Sequence, residues 1–312
     1  MSQLVPPLKV MGGAILLLSL FVFKASSATI LEEFESGEQG SYVPAEVKLG
    51  RGILSSNNTV ISHSHPLLTA VPSDSLPFFD NINNPVSGLA VGSPADVTPP
   101  PPTLNSFDKA VNNTCGAPGT VVDPSRFQAM MKKNSAVLAN IKKFVGGSLV
   151  SGRTSNADFL NDLTDVWFKA KAFDHIFCGE PTWGKSIGGL HFVGRYLELQ
   201  QKGLAGRLAN NTSREEVLPN AVYTMGVIIK VGDKTARSPV KGYGYTLNAE
   251  EILSIASLAY KKNPNTSSTN KACQLSVTDD GKTFTTVFVT KNGAIRTFFP
   301  DASPDNNNPK CL

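Results

Sequence analysis

The sequence predicts an α+β protein in which helices come first and antiparallel strands follow. Apolar side chains recur at helical spacing between residues 123 and 201, whereas short β-branched runs alternate between residues 223 and 299. An Asn292-Gly293 pair separates the last two runs, which is typical of a two-residue hairpin turn. With 312 residues, 41% of them hydrophobic, the chain can bury a sizeable core, and this argues against a wholly disordered protein.

The first 28 residues have the pattern of a secretory signal peptide. Lys9 precedes an apolar run over residues 10–23, and Lys24 and small residues ending at Ala28 follow it. The run is shorter than the roughly 20 residues of a membrane span, although an uncleaved anchor is the alternative. We therefore expect a secreted or extracytoplasmic protein without stable membrane association after cleavage.

Residues 29–115 are interpreted as a low-complexity region rich in Pro, Ser and Asn, which four prolines at Pro99–Pro102 close. His63 and His65 form an H-x-H pair in it. The pair is either part of a metal site or two exposed loop histidines, and no third ligand is evident nearby. The folded domain is predicted to span residues 116–312.

Helices are predicted where apolar residues repeat with a period near 3.6. The first begins at an Asp123-Pro124 cap, and the last begins at Asn248, which two glutamates follow in the first turn. Trp167 is assigned to the core. The four predicted helices cover about residues 123–146, 156–173, 191–201 and 249–261.

Strands are predicted from alternating or β-branched runs in the last third of the chain. One such run leads from Lys241 into the helix that begins at Asn248. The other four predicted strands cover residues 223–230, 273–277, 283–290 and 294–299.

Charge and cysteine content narrow the classes of partner and compartment. Residues 1–115 carry five basic and nine acidic side chains, whereas residues 116–312 carry 24 and 16, a net charge of +8 that favours an anionic partner. The four cysteines lack CxxC spacing, so zinc is disfavoured and disulfides fit an exported chain. Four cysteines allow three pairings, and we expect Cys115 and Cys311, which flank the domain, to pair.

Two histidines stand out in the predicted domain. His175 and His191 are each embedded in apolar residues, with a glycine-containing loop between them, and this layout favours a hairpin that presents both rings together. Two imidazoles can serve as a base and an acid at the same pH. Cleavage of RNA by its own 2′-hydroxyl needs such a pair and a cation to stabilise the charged transition state.

Other interpretations of the segment remain open. The two histidines could be buried for stability, or they could ligate a metal together with a third residue. Cys178 could be a nucleophile activated by a histidine, although a disulfide or core cysteine is more typical of an exported chain.

The sequence between residues 175 and 200 resembles the EndoU family of uridylate-specific endoribonucleases, including its nidoviral branch. His175, Gly179 and Glu180 match the family's first histidine motif, and the Gly-Gly-Leu-His segment ending at His191 matches the second. The resemblance extends over about residues 120–305. It implies N-terminal helices followed by two antiparallel sheet lobes around a central cleft.

The resemblance also implies residue roles. His191 would be the general base and His175 the general acid, with Lys241 stabilising the charge on phosphate. The implied substrate contacts are Gly189, where the backbone approaches a phosphate oxygen, Thr246 or the backbone around Tyr245 beside the uracil, and Phe299 stacked on the base. The family's Tyr is replaced by Phe299, so a hydroxyl is lost while stacking is kept.

Some assignments stay open within the resemblance. Lys230 and Lys234 are alternatives to Lys241, and Glu180 and Lys185 are interpreted as structural rather than catalytic. Family members differ in their dependence on Mn²⁺. Because no ligand cluster is evident here, we expect a metal-independent enzyme without a cofactor.

The leading hypothesis is an exported endoribonuclease that cuts single-stranded RNA 3′ of uridines, leaving 2′,3′-cyclic phosphate and 5′-hydroxyl ends. The alternative is a secreted RNA-binding or adhesion protein on the same fold without catalysis. A toxin or defence effector would use the same reaction in a different biological setting.

Overall fold

The computed structural model describes residues 46–48, 71–91 and 94–312. The predicted signal peptide and the His63–His65 pair lie outside these residues. The order of elements confirms the predicted α+β class, with helices leading and mostly antiparallel strands following. The helices are α1 (Ser106–Cys115), α2 (Pro124–Lys133), α3 (Ser135–Phe144), α4 (Asn156–Phe168), α5 (Val193–Gln201) and α6 (Ala249–Lys262).

Two sheets contain most of the strands. The first has the order β1-β9-β10-β11 and is antiparallel except for the β1–β9 pair. Its strands are β1 (Glu46–Lys48), β9 (Lys271–Asp279), β10 (Lys282–Lys291) and β11 (Ala294–Asp301).

The second sheet is built on one long strand. β7 pairs antiparallel with β5, β6 and β8, and β2 extends the sheet beyond β5. Its strands are β2 (Ser75–Leu76), β5 (Ala205–Leu208), β6 (Glu216–Leu218), β7 (Val222–Val231) and β8 (Lys234–Gly244). A separate hairpin joins β3 (Glu180–Pro181) to β4 (Ile187–Gly188).

The local signals that fix the last helix and the last hairpin are confirmed. Asn248 and Glu251 form a reciprocal capping box at the start of α6. Asn292 and Gly293 both have positive φ, as a type I′ turn requires, and they join β10 to β11. Trp167 is fully buried as predicted, and its indole N–H donates to the Ser257 hydroxyl at 3.0 Å.

Three predicted helix boundaries are wrong. The helix expected over residues 123–146 is two helices, because Asn134 leaves helical geometry and its side-chain amide donates to the Met130 carbonyl. The second predicted helix ends at Phe168 rather than residue 173. The third begins at Val193 rather than His191, because Phe192 is extended.

Part of the region assigned to low complexity is packed into the core. Phe78 and Phe79 are buried, and both of their backbone N–H groups donate to the Gln200 side-chain oxygen on α5. Helix α1 was not predicted, although Asn105 and Asp108 form a capping box at its start. In the described residues, no helix combines the length and apolar character needed to cross a bilayer.

The predicted pairing of Cys115 with Cys311 is wrong. Cys115 at the end of α1 bonds to Cys178, and Cys273 on β9 bonds to Cys311. The second pairing has a visible cause, since the Cys311 N–H donates to the Gln274 carbonyl and so draws the C-terminal residues along β9. Cys178 is therefore not a free nucleophile.

Removing either disulfide is expected to lower the free energy of unfolding by about 4 kcal/mol, because each closes a loop of 38 or 63 residues. The effect on function should differ. Cys178 ends the turn that carries His175, so the Cys115→Ser/Cys178→Ser variant should lose the RNA cleavage that the sequence resemblance implies, under conditions where it remains folded.

The matched control is Cys273→Ser/Cys311→Ser, whose disulfide links β9 to the C-terminus. Thermal denaturation followed by circular dichroism gives the stability of both variants, and cleavage is then assayed well below the lower midpoint. Equal specific activity in the two folded variants would contradict a link between the Cys115–Cys178 bond and the site.

Candidate active site

His175 lies on a single π-helical turn, Asp174–Cys178, which follows α4. The Gly179 N–H closes the turn by donating to the Asp174 carbonyl at 2.9 Å. The Asp174 carboxylate accepts from the Val122 N–H at 3.0 Å, and the disulfide fixes the far end. Only 2% of His175 is exposed to solvent, so its ring is held in place from several sides.

His191 lies just after β4, on a loop bound directly to the His175 turn. The Leu190 N–H donates to the His175 carbonyl at 2.7 Å, and the His191 N–H donates to the Ile176 carbonyl at 2.8 Å. The predicted hairpin between the two histidines is the β3–β4 pair, but both histidines lie outside its strands. Their proximity comes from these two backbone bonds.

Gly189 is the residue that permits this contact. Its φ is +59°, and a Cβ there would lie 1.8 Å from the His175 carbonyl oxygen. Leu190 also has a positive φ, of 72°, which is unusual for a bulky residue. Its burial and the Tyr196 hydroxyl, which donates to the Leu190 carbonyl at 2.9 Å, hold it there.

Opposite hydrogen-bond partners fix the two imidazole rings. The Nδ1 of His191 lies 3.0 Å from the Gly242 carbonyl oxygen, which can only accept, so Nδ1 carries the proton and Nε2 presents a lone pair when the ring is neutral. The Nδ1 of His175 lies 2.6 Å from Oε2 of Glu180. A carboxylate in that position stabilises the protonated ring.

Burial and nearby charges shift the pKa values of His191 and Glu180. Burial, followed by the charges of His175 and Lys241, lowers the pKa of His191 well below its usual 6.5; the Gly242 carbonyl opposes this and Arg296 adds to it. Burial alone would raise the pKa of Glu180, but the hydrogen bond and charge of His175 outweigh it, and that pKa is lowered. His191 is thus neutral at pH 7.

The site gathers side chains from the π-helical turn and from both sheets. The His175 and His191 ring centroids are 5.7 Å apart. The Phe299 ring on β11 stacks on His191 at 5.1 Å and 27°. Lys241 on β8 precedes Gly242, the residue that binds His191. The arrangement places a neutral imidazole beside a carboxylate-paired imidazole, and the charges of Lys241 and Arg296 act on the neutral ring.

The alternatives to Lys241 lie elsewhere in the same hairpin. Lys230 pairs with Thr235, and Lys234 pairs with Val231, at the turn between β7 and β8. Both side chains are exposed. By contrast, the Lys241 charge acts on His191.

Tyr245 and Thr246, the predicted uracil contacts, show no hydrogen bond or ring contact with either histidine in the part of the chain that the structure describes. The Tyr245 hydroxyl donates to the Pro100 carbonyl at 2.7 Å, and its ring packs against Tyr223. The Thr246 hydroxyl is buried and has no hydrogen-bond partner within the described residues. The Gly189 backbone lies against His175. The lack of a Cβ at this position therefore allows the loop to contact the His175 turn.

Two side chains have contacts at the site that the sequence does not indicate: Arg296, with no predicted role there, and Glu180, which is predicted to be structural. Glu180 instead bonds the His175 ring, and Nη1 of Arg296 lies 4.0 Å from the same carboxylate oxygen. The Glu180 contact could have been suspected from its position five residues after His175. The Arg296 contact depends on an irregularity in β11 that no local pattern indicates. Among residues 71–91 and 94–312, no three His, Cys, Asp or Glu side chains cluster as metal ligands.

Comparison with known proteins shows a family similarity over the segment that contains this site. Residues 169–302 match the family model described as bacterial EndoU nuclease, and this confirms the resemblance over the segment that carries both histidines, Lys241 and Phe299. No curated protein has a significant match to the sequence.

Two solved structures are similar to particular parts of the chain. One is XendoU, a splicing-independent snoRNA-processing endoribonuclease, with 17% identity, a TM-score of 0.45, and coverage of 64% of this chain and 77% of that one. The other is the endoribonuclease Nsp15 of Middle East respiratory syndrome coronavirus, with 15% identity, a TM-score of 0.36, and coverage of 70% of this chain and 46% of that one.

The close contact at Gly189 predicts a specific steric effect. Gly189→Ala should lower the free energy of unfolding by at least about 2 kcal/mol beyond the cost of a positive φ, because the new Cβ overlaps the His175 carbonyl. It should also separate the two rings and reduce RNA cleavage. Urea denaturation and a cleavage assay measure the two effects.

Gly184→Ala is the matched control. Gly184 has a φ of +76° in the loop of the same hairpin, and its added Cβ would meet open space. This variant should lose only about 1 kcal/mol and keep its activity. Similar losses in both variants would show that backbone conformation, rather than the contact with His175, explains the effect of Gly189→Ala.

Proposed function

We propose that this protein is an endoribonuclease that cleaves single-stranded RNA 3′ of uridines. The observation that carries the proposal is the pair of imidazoles 5.7 Å apart whose Nδ1 atoms face a carbonyl and a carboxylate, respectively. The family match over residues 169–302 supports an RNA-cleaving enzyme. Uridine preference is the finer part of the proposal, and it rests on the sequence resemblance.

In the proposed reaction His191 is the general base and His175 is the general acid. Nε2 of His191 removes the proton of the 2′-hydroxyl, and the 2′-oxygen forms a bond to phosphorus while the bond from phosphorus to the 5′-oxygen breaks. The departing 5′-oxygen takes a proton from His175. The products are a 2′,3′-cyclic phosphate and a 5′-hydroxyl, and proton exchange with water restores both rings.

The electrostatics support this division of roles. A general base must be neutral, and the lowered pKa of His191 keeps it so. A general acid must be protonated, and the Glu180 carboxylate 2.6 Å from His175 stabilises that form. Lys241 supplies the positive charge that opposes the charge developing on phosphate.

Substrate recognition is proposed to use the aromatic and polar groups beside the rings. Phe299 already stacks on His191, so a base entering beside it would meet an apolar wall. Thr246 retains hydrogen-bonding capacity, and together with the backbone near Tyr245 it is the candidate contact to uracil. Gly189 is proposed to act through the His175 contact.

We also propose that the protein is exported. The two disulfides pair all four cysteines of the sequence, and this fits an oxidising compartment. The N-terminal signal pattern provides the route. Export does not alter the proposed reaction.

The experiment that tests the function uses the oxidised chain and a fluorescent RNA that contains one uridine. Cleavage is expected after the uridine, with a cyclic phosphate on the 5′ fragment, in EDTA as well as in Mn²⁺. His191→Ala and His175→Ala should each lower the rate by about 10²- to 10⁴-fold. Tight RNA binding by a folded chain that cleaves nothing in either buffer would favour the binding-protein alternative.

The pH dependence should reflect the two rings. kcat/KM should be bell-shaped, and its acidic limb should lie below pH 6.5, because activity is lost only as pH falls through the lowered pKa of His191. The groups that face His191 are His175, Lys241 and Arg296, with Glu180 behind His175. Initial rates between pH 4 and 9 on a dinucleotide give the profile.

The residual activity of His191→Ala should lack that acidic limb. An acidic limb centred above pH 6.5 in the native enzyme would contradict His191 as the base, since burial and the charges of His175, Lys241 and Arg296 all lower its pKa.

A further inference from the structure

Arg296 occupies a β-bulge on β11. Val289 of β10 lies opposite Thr297, and the next residue, Thr290, lies opposite Ile295, so Arg296 is an extra residue on its strand. In a regular strand Arg296 and Phe299, three positions apart, would face opposite sides. A bulge re-aims side chains, and here it lets both residues face the histidines.

The contacts confirm this orientation. Nη1 of Arg296 lies 4.0 Å from Oε2 of Glu180, the oxygen that bonds His175. The charge of Arg296 also acts on His191, against which Phe299 stacks. The side chain is 30% exposed, so it reaches the site while one edge remains open to solvent.

The ion pair with Glu180 does not account for the bulge. A separation of 4.0 Å is too long for a hydrogen bond, and a partly exposed pair of this kind contributes little stability. Within residues 71–91 and 94–312, the guanidinium donors thus remain available to a ligand. Two cations from different sheets, Lys241 and Arg296, act on His191, while the Glu180 carboxylate is committed to His175. The two positive charges beside His191 suit an anion.

We propose that Arg296 binds the two non-bridging oxygens of the phosphate being cleaved and acts there with Lys241. The proposal rests on the endoribonuclease function proposed above. A planar guanidinium matches two phosphate oxygens at once, which a lysine ammonium does not. The bulge orients the Arg296 side chain toward the histidines.

The test compares two substrates that each contain only the reacting phosphate, the dinucleotide UpA and uridine 3′-(4-nitrophenyl phosphate). Arg296→Gln should lower kcat/KM by about 10- to 100-fold on both. Nitrophenolate leaves without needing a proton, so His175→Ala should be much less harmful on the aryl ester than on UpA. A direct phosphate contact must matter for both substrates.

Two further readouts separate phosphate binding from a structural role. Arg296→Lys should restore part of the activity, because it keeps the charge. The acidic limb of the pH profile should move upward in Arg296→Gln, since one of the cations that lowers the pKa of His191 is gone. The matched control is Lys282→Gln, an exposed cation about 25 Å from the bulge along β10. It should keep the native rate.

Three outcomes would overturn the proposal. An unchanged kcat/KM in folded Arg296→Gln would remove any role in the reaction. A loss on UpA with none on the aryl ester would mean that Arg296 acts through Glu180 and His175. Loss without rescue by lysine, with the acidic limb unmoved, would indicate a structural role. Absence of cleavage by the native protein would instead refute the proposed function, and it is seen before any variant is compared.

Discussion

The site depends on two backbone hydrogen bonds that join the His191 loop to the His175 turn. Each connects main-chain atoms, so the distance between the rings is set by the fold rather than by flexible side chains. The cost is a Leu190 backbone in the left-handed region, a conformation that costs on the order of 1 kcal/mol or more for a bulky residue. Burial of Leu190 and the Tyr196 hydroxyl offset that strain.

The two histidines are supported differently. The His175 turn is tied to α1, whereas the His191 ring contacts both sheets. Cys178 is bonded to α1, and the buried Arg195 donates both to the Cys178 carbonyl and to the Gly116 carbonyl beside Cys115. The His191 ring is held by Gly242 of one sheet and Phe299 of the other. Relative movement of the sheets would therefore displace the His191 ring before it displaced the His175 ring.

Much of this could be predicted from local sequence, and the failures share a cause. Asn248 capping, the Asn292-Gly293 turn and the pairing of the two histidines are signalled by residues adjacent in the chain. The Cys115–Cys178 bond, the extra residue at Arg296 and the burial of Phe78 depend on partners 63 to 122 residues away or on the register between strands. The composition near residue 78 resembles that of a linker. The partner that buries Phe78 lies on α5, so no residue nearby in the sequence indicates that burial.

The same distinction applies to the charges. The residue pattern places two imidazoles near each other, and only the family resemblance distinguishes their roles. The physical cause of the difference, a carbonyl from β8 and a carboxylate from β3, is visible only in the fold. Exchanging those two partners would exchange the preferred proton states of the rings while leaving the motif unchanged. The preferred proton state of each ring is therefore a property of the tertiary fold. The charges of Lys241 on β8 and Arg296 on β11 also disfavour a proton on His191.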